Sequence, residues 1–409
     1  MSLPNQSRLF VSLPRLRELL TKNLMLWSLL AVALFQFGRG PGNMLWGPLA
    51  IFCALTLLSN WQQLLRLPVF GLSLTAYIIL FSTAGISTAE SFPPWELKYW
   101  LSTVCSAMVF FCLQLYPPDF REQRDGAAQI ALLAVAALAV HWLYFIWVVG
   151  LKELQIAREI TGPVAAVLAP WIFIHSAWSV LKKWFLMISL MGLLMLLDSR
   201  TEVLALLVAL CVYQLCCWKS LRWLLLFVPL LLLLVLLPEL MSSSRSENIS
   251  FASLNQISSS RMEIWNSAIE ACKESLLYGH GLYSSVRADF LPNDIRHIHN
   301  IVLEIVYETG ILGLLAIFCF MACAFLPAVR KSKHWPKADR RQAAVILASA
   351  AATVVVLFFD KSLHSIFARF YLFTLAGLAY SLYELNKKST PHLKSESGSQ
   401  DEIGRVTSV

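Results

Sequence analysis

Three basic side chains stand out in a sequence that is otherwise mostly apolar: Arg200, Arg261 and His299. Arg261 falls at the start of an amphipathic pattern, in a first helical turn where the macrodipole favours an acid by about 0.3–1 kcal/mol. A cation there makes sense if an anion binds, held by the guanidinium and the free backbone N–H groups together. The plainer alternative is a solvated surface arginine. His299 lies in the run His297-Ile298-His299-Asn300, where a long apolar stretch begins. An imidazole at a helix N-terminus is disfavoured as imidazolium and stays neutral, which suits a general base; the alternative is a loop histidine that is merely solvated. Arg200 sits in Asp198-Ser199-Arg200-Thr201-Glu202, as a second anion contact or as an interface residue that snorkels. Asn300, Glu304 and Glu308 recur four apart, a polar stripe that orients a site or hydrogen-bonds neighbouring helices.

These residues must be positioned by membrane-spanning elements. Of 409 residues 57% are hydrophobic and 14% charged, against about 25% charged in an average soluble domain. Apolar runs occupy residues 24–37, 45–58, 68–86, 97–115, 127–149, 162–180, 184–197, 203–218 and 224–237. After a polar interval come 300–328, 343–359 and 364–383. Runs near 20 residues cross a hydrocarbon core of about 30 Å, and flanking residues complete the shorter ones, which makes about twelve helices. The fold class expected is an all-α polytopic membrane protein with one large loop containing amphipathic helices. Its parts are an N-terminal segment 1–23, nine helices over 24–237, the loop 238–299, three helices over 300–383 and a disordered tail 384–409.

The net charge of +8 does not point to nucleic acid, because Lys and Arg fall in short loops where they set topology. Alternating the helices from a cytoplasmic N-terminus puts Arg121, Arg124, Lys182, Lys183 and the run from Arg330 to Arg341 inside. Both termini then face the cytoplasm, and the loop 238–299 faces outward, which in a two-membrane bacterium means the periplasm. Eight of nine cysteines lie in apolar runs as small hydrophobes; Cys272 alone lies in the loop, and no spacing suggests zinc or a redox pair.

Within the loop, Met262, Trp265, Ile269, Cys272 and Leu276 recur at threes and fours, which predicts a helix over 260–277 with that apolar face. Ser260 and Glu263 make a capping box, and Gly279 and Gly281 end the helix. The next helix, over 300–328, is expected to run unbroken for about 42 Å, with its first turns clear of lipid. Residues 283–295 are expected to form a mobile segment over the site. There is no Walker loop, Rossmann fingerprint or nucleophile elbow. What remains is an outward-facing site with arginines for a diphosphate and a histidine base.

These residues resemble the O-antigen ligases and their polymerase relatives. The resemblance rests on Ser199-Arg200-Thr201, Ser260-Arg261 leading to Trp265, Gly279 with Gly281, and His297-Ile298-His299-Asn300 followed by Glu308 and Gly310-Ile311-Leu312-Gly313. It implies a metal-independent, inverting glycosyl transfer without cofactors. The implied donor is undecaprenyl-diphosphate-linked O-antigen, and the implied acceptor is the outer core of lipid A-core. His299 would take the proton of the acceptor hydroxyl, Arg200 and Arg261 would bind the diphosphate, and His297, Asn300 and Glu308 would support them. It also implies residence in the bacterial inner membrane. The oligomeric state is not expressed in the sequence.

Two other readings fit less well. An O-antigen polymerase would use the same donor with a second lipid-linked chain as acceptor. A transporter of polyisoprenoid lipid or solute would place its ionisable groups near the bilayer midplane, whereas here they cluster at one face.

Overall fold

Every apolar run that falls within the described residues is helical, as expected where no water is present to satisfy backbone groups. The computed structural model describes residues 13–35, 39–67, 71, 94–144, 147, 154–197, 199–217, 261–282, 284–291, 298–359 and 366–389. The expected spans 68–86 and 224–237, all but Gly71, the loop stretch 238–260 and the tail from 390 lie outside them.

The helices are α1 Leu13–Lys22, α2 Leu24–Leu34, α3 Arg39–Ser59, α4 Trp61–Leu64, α5 Pro94–Leu115 and α6 Phe120–Tyr144. Then come α7 Leu154–Leu168, continued by a 3-10 helix Ala169–Ile174, α8 Val180–Leu196 and α9 Arg200–Cys217. The last are α10 Arg261–Glu274, α11 Ile301–Lys331, α12 Lys337–Phe359 and α13 Ile366–Ser389. Four of them, α6, α9, α11 and α12, are long and apolar enough to cross a membrane, and several shorter helices are equally apolar. Leu133, Val140, Phe185, Ile188, Leu315 and Phe318 are each at least 52% exposed. Such outward apolar surface is what lipid covers. This is an all-α, multi-pass membrane protein.

Several boundaries differ from those read in the sequence: α3, α6 and α12 start at Arg39, Phe120 and Lys337 rather than at 45, 127 and 343, and residues 384–389, expected in the disordered tail, continue α13 to Ser389. Residues 13–22, expected as plain N-terminal segment, form α1. The run expected over 162–180 is displaced: its helix starts at Leu154 and its 3-10 extension stops at Ile174. The buried ammonium of Lys183 closes that end, donating to the carbonyls of Phe173 at 2.9 Å and His175 at 2.6 Å. A chain end capped in this way turns into the loop before α8.

The core of the bundle is α12, whose alanines Ala343, Ala344, Ala348 and Ala352 are buried and let α9 lie close along it. The Trp171 indole donates to the Tyr371 hydroxyl at 2.7 Å, and that hydroxyl donates to the Val167 carbonyl at 3.1 Å, tying α7 and its extension to α13. Arg341, in the first turns of α12, lies within electrostatic reach of Tyr213 and Cys217 at the end of α9. The two helices are therefore antiparallel, and Arg200 starts α9 at the end where α12 finishes in Phe358 and Phe359. The opposite end gathers charge: Lys183 lies near Arg341, Asp125 and Arg124, and Lys22 pairs with Glu122 at 3.0 Å.

Candidate active site

At the Arg200 end a second small core forms, separate from that of the bundle. Ile264, Ala268 and Cys272 of α10 bury against Ala288, Ile298 and Tyr307, with Trp265 and Leu303 packed around them. The helix expected over 260–277 is present as Arg261–Glu274, but its buried face is turned from the one read in the sequence. Ile269 and Leu276 are 43% and 47% exposed, while Ala268 is fully buried. Ala268 lies midway between Ile264 and Cys272 on the buried face, four residues from each. Ser260, the expected capping residue, lies outside the described residues.

After α10 the chain turns back against α11. Gly279, at φ +74°, and Gly310, at φ +66°, let two backbones touch. The Gly310 conformation breaks α11 into a short arm, 301–309, and a long arm, 311–331. This corrects the unbroken helix expected from the sequence. The break frees the carbonyls of Tyr307 and Glu308, which accept from His280 N at 2.8 Å and Gly281 N at 2.9 Å. The Ile311 N–H, which a continuous helix would give to Tyr307, goes to the Leu276 carbonyl at 2.9 Å. Three backbone hydrogen bonds thus run between the two segments at the break.

The short arm starts at the histidine motif. Asn300 is the N-cap of α11, its side-chain oxygen accepting from Val302 N at 3.0 Å and Leu303 N at 3.1 Å. His299, just before it, has φ +54°, unusual for a residue with a side chain and costing roughly 1–3 kcal/mol. The Trp265 indole donates to the Ile298 carbonyl at 3.1 Å. Trp265 stands one turn after Arg261, so this bond ties the helix that starts at Arg261 to the turn that holds His299. The same indole packs on Phe358 and Phe359, with ring centroids 6.3 and 6.4 Å away. Those rings end α12 beside the start of α9, where Arg200 is exposed between buried Ser199 and buried Glu202. Arg200, Arg261 and His299 thus each stand at a helix start, and all three starts share one end of the bundle.

Glu304 and Glu308 are buried with Asn300, so the polar stripe faces inward. The Glu308 carboxylate accepts from Ser285 Oγ at 2.6 Å and from Ser285 N at 3.4 Å. This pins the 3-10 helix Ser284–Arg287, within the segment expected to be mobile. Ala288 is buried as well, and Phe290 packs edge-on to Tyr307 at 5.5 Å. Where it is described, then, this segment is packed. His297 lies outside the described residues.

Sequence reasoning gave no weight to Ser285 or His280. The His280 ring stacks on Tyr307 at 4.4 Å, with Nδ1 3.1 Å from the Tyr307 carbonyl. Its flanking glycines were the available signal, since two glycines around one residue mark a tight backbone crossing. Burial pushes the Cys272 thiol up to about 11, so the one loop cysteine is a packing residue. Among the described residues no three His, Cys, Asp or Glu side chains converge to hold a metal ion.

Residues 184–318 match the O-antigen ligase family. The matched stretch runs from α8 past the Gly310 break and contains every candidate site residue. Among curated proteins, none matches the chain significantly.

Proposed function

With an O-antigen ligase family domain spanning the candidate site, we propose that this protein transfers O-antigen from undecaprenyl diphosphate to the outer core of lipid A-core. It lies in the bacterial inner membrane with both termini in the cytoplasm and the site in the periplasm. This sidedness is supported by the bias of Lys and Arg toward the opposite loops. The observation that carries the reading is the Trp265–Ile298 hydrogen bond at 3.1 Å, which holds the Arg261 helix start and the His299 turn in one unit.

His299 takes the proton of an acceptor sugar hydroxyl. The oxygen then bonds to the anomeric carbon with inversion, and the bond to the diphosphate breaks, its electron pair leaving with undecaprenyl diphosphate. Arg200 and Arg261 hold the diphosphate and stabilise the charge that grows on it. The donor already carries a good leaving group, so positioning and electrostatics supply much of the acceleration. No step of this reaction calls on a metal or cofactor.

The test is a lipopolysaccharide gel from a strain lacking this chain, with a probe for lipid-linked O-antigen. Loss of all capped lipopolysaccharide, with long chains accumulating on undecaprenyl diphosphate, is the expected result. Capping by a single repeat unit would identify a polymerase. An unchanged ladder, in a strain with no redundant enzyme, would overturn both. Arg261→Lys restored to that strain should be impaired, because an ammonium does not grip a diphosphate bidentately.

A further inference from the structure

The turn that follows α10 carries its apolar side chains on the outside. Leu276, Leu277 and Tyr278 are 47%, 49% and 43% exposed, while the Leu277–Tyr278 peptide packs on the Gly310 break. Large apolar side chains grouped on a surface mark a partner or a membrane. Just before them the surface is charged: Glu270, Lys273 and Glu274 are exposed, and the first two pair at 2.6 Å. Polarity therefore changes sharply between residues 274 and 276.

The neighbouring helix shows what covers the turn. The long arm of α11 bears one stripe of exposed apolar side chains, Ile311, Leu315, Phe318, Leu326 and Val329, which lipid covers. The stripe starts at Ile311, whose N–H donates to the Leu276 carbonyl at 2.9 Å, so the turn continues it. Its other end is marked by exposed Arg330 and Lys331, cations that belong among headgroups. Counted back from Arg330 at about 1.5 Å per residue, a hydrocarbon core of about 30 Å ends near Gly310, level with the turn.

We infer that residues 276–278 are a lipid anchor, seated in the leaflet on the candidate-site side. Leu276 and Leu277 enter its acyl region, and the Tyr278 ring lies at the headgroup boundary, where tyrosine is favoured. The charged end of α10, from Glu270 to Glu274, stays in water. The anchor holds α10 at a fixed height, and the Trp265 bond to the Ile298 carbonyl carries that height to the His299 turn. One consequence rests on the proposed function: Arg261 and His299 are kept level with the diphosphate of a donor whose chain lies in the same leaflet. The anchor itself does not depend on that reaction.

The test is photo-crosslinking of the full chain in vesicles of phosphatidylethanolamine and phosphatidylglycerol, with p-benzoylphenylalanine in place of Leu277, Phe318 or Asn266. Each of these side chains is exposed, so the probe does not threaten folding. Lipid adducts, read by mass spectrometry, should form at 277 in a yield like that at 318 and be absent at 266. No lipid adduct at 277 beside a labelled 318 overturns the anchor. Adducts at 277 to another stretch of this chain, or to a second copy, overturn it as well. Lipid adducts at 266 as strong as those at 277 would put all of α10 within lipid and overturn the boundary. Nothing in this readout involves transfer, so the anchor can stand where the proposed reaction fails, and the reverse.

Discussion

Gly279 and Gly310 each make room for the peptide that leads to the other: Glu308–Thr309 fills the side-chain space of Gly279, and Leu277–Tyr278 fills that of Gly310. A Cβ on Gly279 would lie 2.4 Å from the Glu308 carbonyl, and a Cβ on Gly310 would lie 2.1 Å from the Leu277 carbonyl oxygen. Both obstacles are backbone and do not swing aside. Gly279→Ala and Gly310→Ala should each destabilise the protein by about 3 kcal/mol or more, combining overpacking with positive-φ strain. Gly47→Ala, where nothing lies within 4 Å, should leave stability unchanged or raise it. Thermal unfolding of the three purified variants decides this; a Gly310→Ala protein that melts like the parent would refute the crossing.

His299→Asn separates fold from chemistry. Asparagine tolerates the left-handed conformation that His299 adopts at φ +54°, so the turn before α11 should survive. It supplies no base, and transfer should fall by about 100-fold or more. In membranes with normal amounts of inserted protein, near-parental capping of lipopolysaccharide by this variant would remove His299 from the mechanism.

Trp265→Phe keeps an aromatic ring against Phe358 and Phe359 but deletes the donor to the Ile298 carbonyl. Leaving a part-buried carbonyl without its partner costs about 1–3 kcal/mol. Transfer should drop further than Ile269→Ala would cause, because Ile269 is on the exposed face of the same helix. Equal activity in the two variants, measured with the same membranes, would show that the bond does not position the site.

Cys272 gives a prediction in pH. Its folded thiol is held up to about 11 against an ordinary value of 9.0. Between those values the folded state keeps a proton that the unfolded state has lost. Stability from this group is therefore full below pH 9 and falls as pH rises toward 11. At neutral pH a thiol-alkylating reagent should modify Cys272 only after denaturation. Rapid modification of native protein at that position, seen by peptide mapping, would show that the thiol is accessible.

How far the sequence foretold this arrangement depended on the kind of signal. A charge in an apolar chain is conspicuous, so Arg200, Arg261, His299 and Asn300 could be singled out, and the structure puts their helix starts at one end. The period of α10 was readable and its phase was not. Ile269 and Leu276 look like core residues in a list, while the buried Ala268 says nothing by itself. The break at Gly310 was hidden for a different reason. Glycine is common inside membrane helices, and only contact with residues 276–279, more than thirty positions earlier, turns this one into a break. The Ser285–Glu308 bond is likewise a long-range match between two ordinary residues.

The break in α11 also bears on how the protein meets bilayers of unequal thickness. The long arm, 311–331, spans about 31 Å at 1.5 Å per residue, close to a hydrocarbon core of about 30 Å. When the bilayer thins or thickens, this arm answers by tilting. The short arm is bonded to the chain after α10 through His280 and Gly281, so it need not tilt with the long arm, which meets that chain at its first residue through Ile311 N and the Leu276 carbonyl. We expect turnover in vesicles to change less than about twofold as acyl chains are varied by two carbons either way, a mismatch of only a few ångströms. A steep dependence on chain length would mean that the two arms move as one rod.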